Sequence, residues 1–203
     1  MVKISNLIIK IDDFELLTTE EIILKKNEKM LLIGNNSSGK SLFLKSLHKK
    51  YFNHNGNFEI SQSGIFNKKR KHSLYIEPEV NLFADKSIFK NITFPLDKIK
   101  DRTLEKISDL CNIAKLGEIY STKCSVLSYS QMKMVELIRA VIVNPIVILI
   151  DDIDNYFDDI NMNLLFEIFK ASDNDFSVIA TAKKLKPEFT NLFRVQNKKV
   201  VRL

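Results

Sequence analysis

Apolar positions come in short runs near the start of the chain and in longer periodic stretches further on. Residues 7–11 and 22–24 are brief apolar-rich runs that predict strands opening a sheet. Asn27-Glu28-Lys29 is expected to form a turn after them, because asparagine tolerates a left-handed backbone. Met30-Leu31-Leu32-Ile33 shows no alternation at all, the pattern of a strand covered on both faces, and it stops at Gly34. Residues 41–49 place Leu42, Leu44 and Leu47 at helical spacing. Short strands and polar turns are expected to about residue 76, and mostly helix over 87–120. A further helix is predicted over 130–143, where Asn144-Pro145 stops it. Ile146-Val147-Ile148-Leu149-Ile150 then runs straight into Asp151-Asp152, as a central parallel strand does when helices cover both faces. A helix over 162–170 and a strand over 177–180 complete the alternation, and the whole predicts an α/β fold.

Composition narrows the field. The chain has 203 residues, of which 45% are hydrophobic and 28% charged, enough apolar material for one globular domain and too much for disorder. Five glycines exclude collagen, and two cysteines exclude a disulfide scaffold. Cys111 and Cys124 are therefore expected as free thiols in a reducing compartment. No run approaches the ~18 apolar residues of a membrane span, and the N-terminal stretch lacks a signal-peptide shape, so a cytoplasmic location is expected. The net charge of +6 invites a nucleic-acid reading. Arginine supplies only five of the 31 basic residues, however, and the lysines are scattered, so no nucleic-acid partner is expected. The one dense basic run, Lys68-Lys69-Arg70-Lys71, is expected to be a solvated loop, with an anionic contact as the alternative.

The strongest motif is Gly34-Asn35-Asn36-Ser37-Ser38-Gly39-Lys40-Ser41, which fits G-x-x-x-x-G-K-S between a buried strand and a helix. Backbone N–H groups must converge on phosphate oxygens there, and glycine lets the main chain approach. Lys40 would place its charge on the β/γ-phosphates, and the Ser41 hydroxyl would take one Mg²⁺ position. As a loop residue exposed to ligand, Lys40 is expected to carry little core packing. Asp151, ending its apolar strand, is the second candidate for Mg²⁺. Asp152 follows as the candidate general base, or water-positioning group, for attack on the γ-phosphate.

The third motif decides the class. Leu127-Ser128-Tyr129-Ser130-Gln131, the helix that carries Arg139-Ala140, and the strand closing in Asp151-Asp152 together resemble the signature-to-Walker-B block of ATP-binding-cassette (ABC) ATPases. Leu82-Phe83, Asn91 and Phe94-Pro95-Leu96 are similar to the segment after that family's Q-loop. Asn155-Tyr156-Phe157-Asp158 falls where its D-loop belongs, and Ile179-Ala180-Thr181 leads into its switch-histidine position. The resemblance implies a P-loop NTPase (RecA-like) core with a mostly parallel sheet, an N-terminal antiparallel β subdomain and a helical subdomain. Residues 1–203 would form one ABC ATPase domain, with 1–85 and 130–203 in the β subdomain and core and 86–130 helical.

It also implies a head-to-tail homodimer or heterodimer with a second ABC ATPase, sandwiching ATP and Mg²⁺, and a transmembrane permease-like partner holding the chain at the inner face of the membrane. Ser128, Ser130 and Gln131 would then face the partner's ATP. Phe14 is the candidate for stacking on adenine, a core phenylalanine being the alternative. Four departures from the family pattern concern cleavage. Tyr129 and Ser130 replace the two signature glycines, Asp152 replaces Glu, and Ala182 replaces the switch histidine. Glu77-Pro78-Glu79 occupies the Q-loop site, where Glu77 is a candidate Mg²⁺ ligand and a plain loop is the alternative. Lys183 is the candidate electrostatic stand-in for the histidine, against a solvated lysine. The expectation is Mg-ATP binding with slow hydrolysis. The alternative is a catalytically weak regulatory or assembly subunit, or the degenerate half of a heterodimer.

Overall fold

The computed structural model describes residues 1–11, 14–48, 54–60, 73–173 and 175–203, so the basic run at 68–71 lies outside the described residues. The chain forms two compact units. The first comprises Met1–Ile76, Pro145–Asp154 and Asp175–Leu203, and the second Glu77–Asn144 and Asn155–Asn174. The helical stretch expected at 86–130 lies inside the second unit, which also takes in residues 77–85 and the helices that precede and follow the Asp151 strand in the sequence.

The first unit is built on one sheet. Its strands are β1 (Val2–Ile11), β2 (Phe14–Thr19), β3 (Ile22–Leu24), β4 (Lys29–Ile33), β5 (His54–Ile60), β6 (Ser73–Ile76), β7 (Val147–Ile150), β8 (Ser177–Ala182), β9 (Asn191–Gln196) and β10 (Lys199–Arg202). The order is β3-β1-β2-β10-β9-β4-β8-β7-β6, with β5 also on β1. Strands β9, β4, β8, β7 and β6 run parallel, whereas β2, β3 and β5 meet β1 antiparallel. A RecA-like parallel core beside an N-terminal antiparallel part is the arrangement the sequence implies. Every residue of β7 and β8 is buried, as unbroken apolar runs require when both faces are covered. Each buried Leu or Ile there contributes about 1.5–3 kcal/mol, so these strands are a rigid platform for the loops at their C-terminal ends. Helix α1 (Lys40–Leu47) follows β4 and buries Phe43, Leu44 and Leu47 in the same core as Met30 and Leu32.

The second unit is helical. It contains α2 (Ile88–Thr93), α3 (Asp101–Ile113), α4 (Tyr129–Val143) and α5 (Asp159–Ala171). Asn144 ends α4 in the left-handed conformation with φ 55°, and Pro145 prevents any continuation. Both cysteines are free and buried, and burial pushes the Cys111 thiol up to about 11. Among the described residues no helix is long and apolar enough to cross a membrane.

Candidate functional site

Strand β4 delivers Gly34 to the C-terminal edge of the parallel sheet, and the chain curls before α1 begins. The Ser38 amide donates to the Asn35 carbonyl at 3.2 Å, closing a turn. Ser37 and Gly39 take positive φ values of 59° and 103°. Gly39 is thus in a conformation that suits glycine, and a Cβ at Gly34 would meet Ser38 Oγ at 2.6 Å. The curl thus requires glycine at 39, while a side chain at 34 would have to displace the Ser38 hydroxyl. Lys40 is not the exposed residue expected from the sequence: it is 5% exposed, and its ammonium donates to the carbonyls of Gly34 at 3.0 Å and Asn35 at 3.1 Å. The reason is the curl itself, which turns two carbonyls toward the helix start. The lysine therefore braces the loop from inside.

Asp151 is 1% exposed at the end of β7, and both its oxygens are occupied. Tyr75 of β6 donates its hydroxyl to Oδ2 at 2.8 Å, and Thr181 of β8 donates to Oδ1 at 2.6 Å. The Thr181 oxygen in turn accepts the Asp152 amide at 2.8 Å. The strands flanking β7 thus orient its terminal carboxylate. Asp152 has a φ of 48°, and its carboxyl is held above the usual range, chiefly by burial and then by the charge of Asp151, with Lys40 and Lys183 opposing. Ala182 is fully buried in β8. Lys183 follows it, and its amide donates to Asp154 Oδ2 at 2.8 Å.

Beside the loop lies a cavity of about 800 Å³, walled by Gly34, Asn35, Ser37, Ser38 and Gly39, by Leu16, and by the β9–β10 hairpin. Phe14 is not among its lining residues: it is 74% exposed at the start of β2, and Leu16 is the β2 residue at the wall. Among the described residues nothing hydrogen-bonds the buried Ser38 Oγ, which a phosphate oxygen would satisfy. A curled amide loop, an orphaned hydroxyl and a braced lysine fit a polyphosphate, and the hard oxygens of Ser41 and Asp151 fit Mg²⁺. Among the described residues no group of three His, Cys, Asp or Glu side chains could hold a metal ion.

The signature-like segment lies in the second unit. Ser128 caps α4 in a reciprocal box: its Oγ accepts the Gln131 amide at 3.2 Å, and Gln131 Oε1 accepts the Ser128 amide at 2.9 Å. The residues in the usual glycine positions are both engaged. Tyr129 donates its hydroxyl to the Pro78 carbonyl, and Ser130 donates to the Tyr156 carbonyl at 2.7 Å. One turn on, the fully buried Lys133 donates to the carbonyls of Glu77 at 2.6 Å and Glu79 at 2.7 Å, and to Glu136 Oε2 at 2.8 Å. Glu136 also accepts the Asn81 amide, and Arg139 donates to the Asn81 carbonyl at 2.6 Å. Glu77 thus enters the structure through its main chain, at the start of a loop gripped by α4.

A buried strand, a curled glycine-framed loop, a helix, and an acid ending a parallel strand two places away define a P-loop nucleotide-binding α/β protein. The family is narrower. The ABC transporter family model matches residues 17–155, and the chain belongs to that family. It is similar to the molybdate/tungstate import ATP-binding protein WtpC of Methanocaldococcus jannaschii, at 26% identity over 75% of this chain and 52% of that protein. It is likewise similar to the galactose/methyl galactoside import ATP-binding protein MglA of Clostridium perfringens, at 28% identity over 79% of this chain and 34% of that protein. The ATP-binding protein Uup of Buchnera aphidicola is 25% identical over 78% of this chain and 26% of its own length. The chain thus spans from 26% to 52% of these relatives. Among solved structures, cbiO1 of Clostridium perfringens, part of the cbiONQ ABC transporter complex, shares the fold. It has a TM-score of 0.79 and 17% identity, over 98% of this chain and 86% of that one.

Tyr75, Thr181 and the trio Lys133, Glu136 and Arg139 were not legible as site residues in the sequence. Tyr75 and Thr181 meet partners 29 to 76 positions away, and, apart from the Glu136 ion pairs within α4, the trio is fixed by main-chain atoms of residues 77, 79 and 81. The only signal was chemical: a lysine and a glutamate three apart on the otherwise apolar face of a helix must find each other.

Proposed function

We propose that this chain is the ATP-binding subunit of an ABC-type membrane transporter or membrane-coupled complex. It takes Mg-ATP at an interface between two such subunits and hydrolyses it slowly to drive a transmembrane permease-like partner, which holds it at the inner face of the membrane. The observation that carries this reading is the curled loop at 34–39 with Lys40 braced beneath it. The relatives named as import ATP-binding proteins support it.

In this reading the loop amides and Lys40 bind the phosphates, and Ser41 and Asp151 hold Mg²⁺, which when bound supplies charge neutralisation at the phosphates. Asp152 takes the proton of the attacking water at its carboxylate, and burial, by raising its proton affinity, suits it to that role. Lys183 adds positive charge beside it. Ser128, Ser130 and Gln131, at the N-terminus of α4, face the nucleotide of the other subunit. Turnover is slow because Asp152 is one methylene shorter than the family's glutamate, and a displacement of ~1 Å costs about a hundredfold. Equilibrium binding of ATP with Mg²⁺, and steady-state turnover, test this in the parent chain and in Lys40→Ala. The parent binds and turns over slowly, and the variant does neither; equal affinity in the variant removes the site.

The fully buried Ala182 favours a second reading, the catalytically weak half of a heterodimer. Purification from native membranes separates the two: an obligate second cassette chain supports this one, and a permease without it supports the first.

A further inference from the structure

The cavity beside the loop has a second charged wall. Of the fourteen described residues that line it, Lys183, Arg194 and Lys198 are cationic, and none is a carboxylate. Lys40, by contrast, is bonded to two loop carbonyls and interacts with the Asp152 charge, which offset its own. The fold explains the position of Arg194. Strand β9 lies parallel to β4, with Arg194 in register with Ile33, the last residue before the loop. The next residue, Val195, lies 3.5 Å from where a Cβ on Gly34 would stand. Lys198 follows in the β9–β10 turn, where Asn197 and Lys198 take φ values of 48° and 60°. The turn is tied down, because the Lys198 carbonyl accepts the Thr18 amide of β2 at 2.9 Å. Both cationic side chains are exposed, and among the described residues neither makes an ion pair.

Two unpaired cations on a fixed hairpin at the mouth of a phosphate loop form an electrostatic trap for a polyanion. We infer that Arg194, assisted by Lys198, is a second phosphate-binding element, so that a nucleoside triphosphate is held from the loop on one side and from the β9–β10 hairpin on the other. This rests on the proposed nucleotide site and deepens it. Arginine suits the role because its planar fork can meet two phosphate oxygens at once, whereas lysine offers a single charge. The ligand is then recognised mainly by its phosphate charge: affinity falls steeply from ATP to AMP, and inorganic tripolyphosphate competes with ATP.

Titration calorimetry with ATP, AMP and tripolyphosphate on the whole chain tests this, comparing the parent with Arg194→Ala, Arg194→Lys, Lys198→Ala and Lys40→Ala. Arg194→Ala is expected to weaken ATP and tripolyphosphate about tenfold, one charge-assisted contact's worth, and AMP much less. It should also flatten the salt dependence of ATP binding without changing the melting temperature. Arg194→Lys should recover part of the loss, and Lys198→Ala should act in the same direction with smaller effect. ATP affinity unchanged in Arg194→Ala, while Lys40→Ala abolishes it, overturns the inference and leaves the nucleotide site standing. An equal loss for AMP and ATP also overturns it, since the contact is then not with the terminal phosphates. A parent chain that binds neither ATP nor tripolyphosphate removes the site and this inference together.

Discussion

The hydroxyl of Tyr75 donates to Oδ2 of Asp151 across 2.8 Å, joining the last two strands of the parallel sheet at their C-terminal ends. With Thr181 on the other oxygen, the carboxylate cannot rotate without breaking a bond on either side. Groups that orient a metal-binding carboxylate matter nearly as much as the carboxylate itself, and losing one costs about 10–100-fold in metal affinity.

Tyr75→Phe keeps the ring and its tilted contact with His48 while deleting that hydroxyl. Stability should fall by about 1.5–3 kcal/mol, the range for a hydrogen bond to a charged group. The Mg²⁺ concentration that half-saturates ATP binding should rise at least about tenfold. Urea denaturation and Mg²⁺ titration at fixed ATP read the two effects separately. A stability loss without any change in Mg²⁺ requirement would make Tyr75 a purely structural residue.

Asp152 links stability to pH. Its carboxyl is pushed above the ordinary value, first by burial and next by Asp151. Between the unfolded and folded values the native state holds more protons than the unfolded chain, so stability falls as pH rises through that window. Asp152→Asn cannot ionise, and should be more stable than the parent at neutral pH, with a flatter stability profile from the ordinary carboxylate range upward. Thermal unfolding as a function of pH checks this. Asp152→Glu restores the missing methylene and should raise turnover if reach limits the rate. Unchanged or reduced turnover would mean that the left-handed backbone at φ 48° has adjusted the site to the shorter acid.

Tyr129 stands where the ABC family pattern has glycine, yet its side chain is committed to Pro78 and lies edge-on to Tyr156 at 6.2 Å between ring centroids. Tyr129→Gly should therefore destabilise the second unit, by about 2 kcal/mol for a lost hydrogen bond and a glycine in the first helical turn. Tyr129→Phe should cost about half as much. Chemical denaturation distinguishes the variants, and a Tyr129→Gly protein as stable as the parent would show that the tyrosine is a replacement without a structural task.

Much of the architecture is legible in apolar runs alone, because strands buried on both faces leave no alternation to misread: β4, β7 and β8 fall on the runs at 30–33, 146–150 and 177–180. The β9–β10 hairpin carries only a weak sequence signal. Phe193 and Val195 point inward against Arg194 and Gln196 for only a few residues, and its turn uses Asn197-Lys198 where Asn-Gly is the usual signal. The loop motif was legible because amide convergence demands glycine at fixed places. The burial of Lys40 was not, since it depends on which way two carbonyls face. Nor could spacing reveal that Tyr129 and Ser130 turn back onto main-chain carbonyls of their own unit.

Lys133 and Glu136 offer the sharpest energetic test. Their side chains are 0% and 3% exposed, and the ammonium also holds the carbonyls of Glu77 and Glu79 while the carboxylate holds the Asn81 amide. Lys133→Met leaves the buried carboxylate with only the more distant Arg139 guanidinium, 3.9 Å away, and two carbonyls without their donor, and should cost about 3–5 kcal/mol. Glu136→Leu leaves a buried ammonium and should cost a similar amount. In the double variant neither uncompensated charge remains, so its loss should be well below the sum of the single losses, with coupling of about 1–3 kcal/mol. The recovery is incomplete because the loop's main-chain groups still lack partners. Strictly additive losses would show that the ion pair contributes nothing and that the loop contacts alone account for burying two charges on α4.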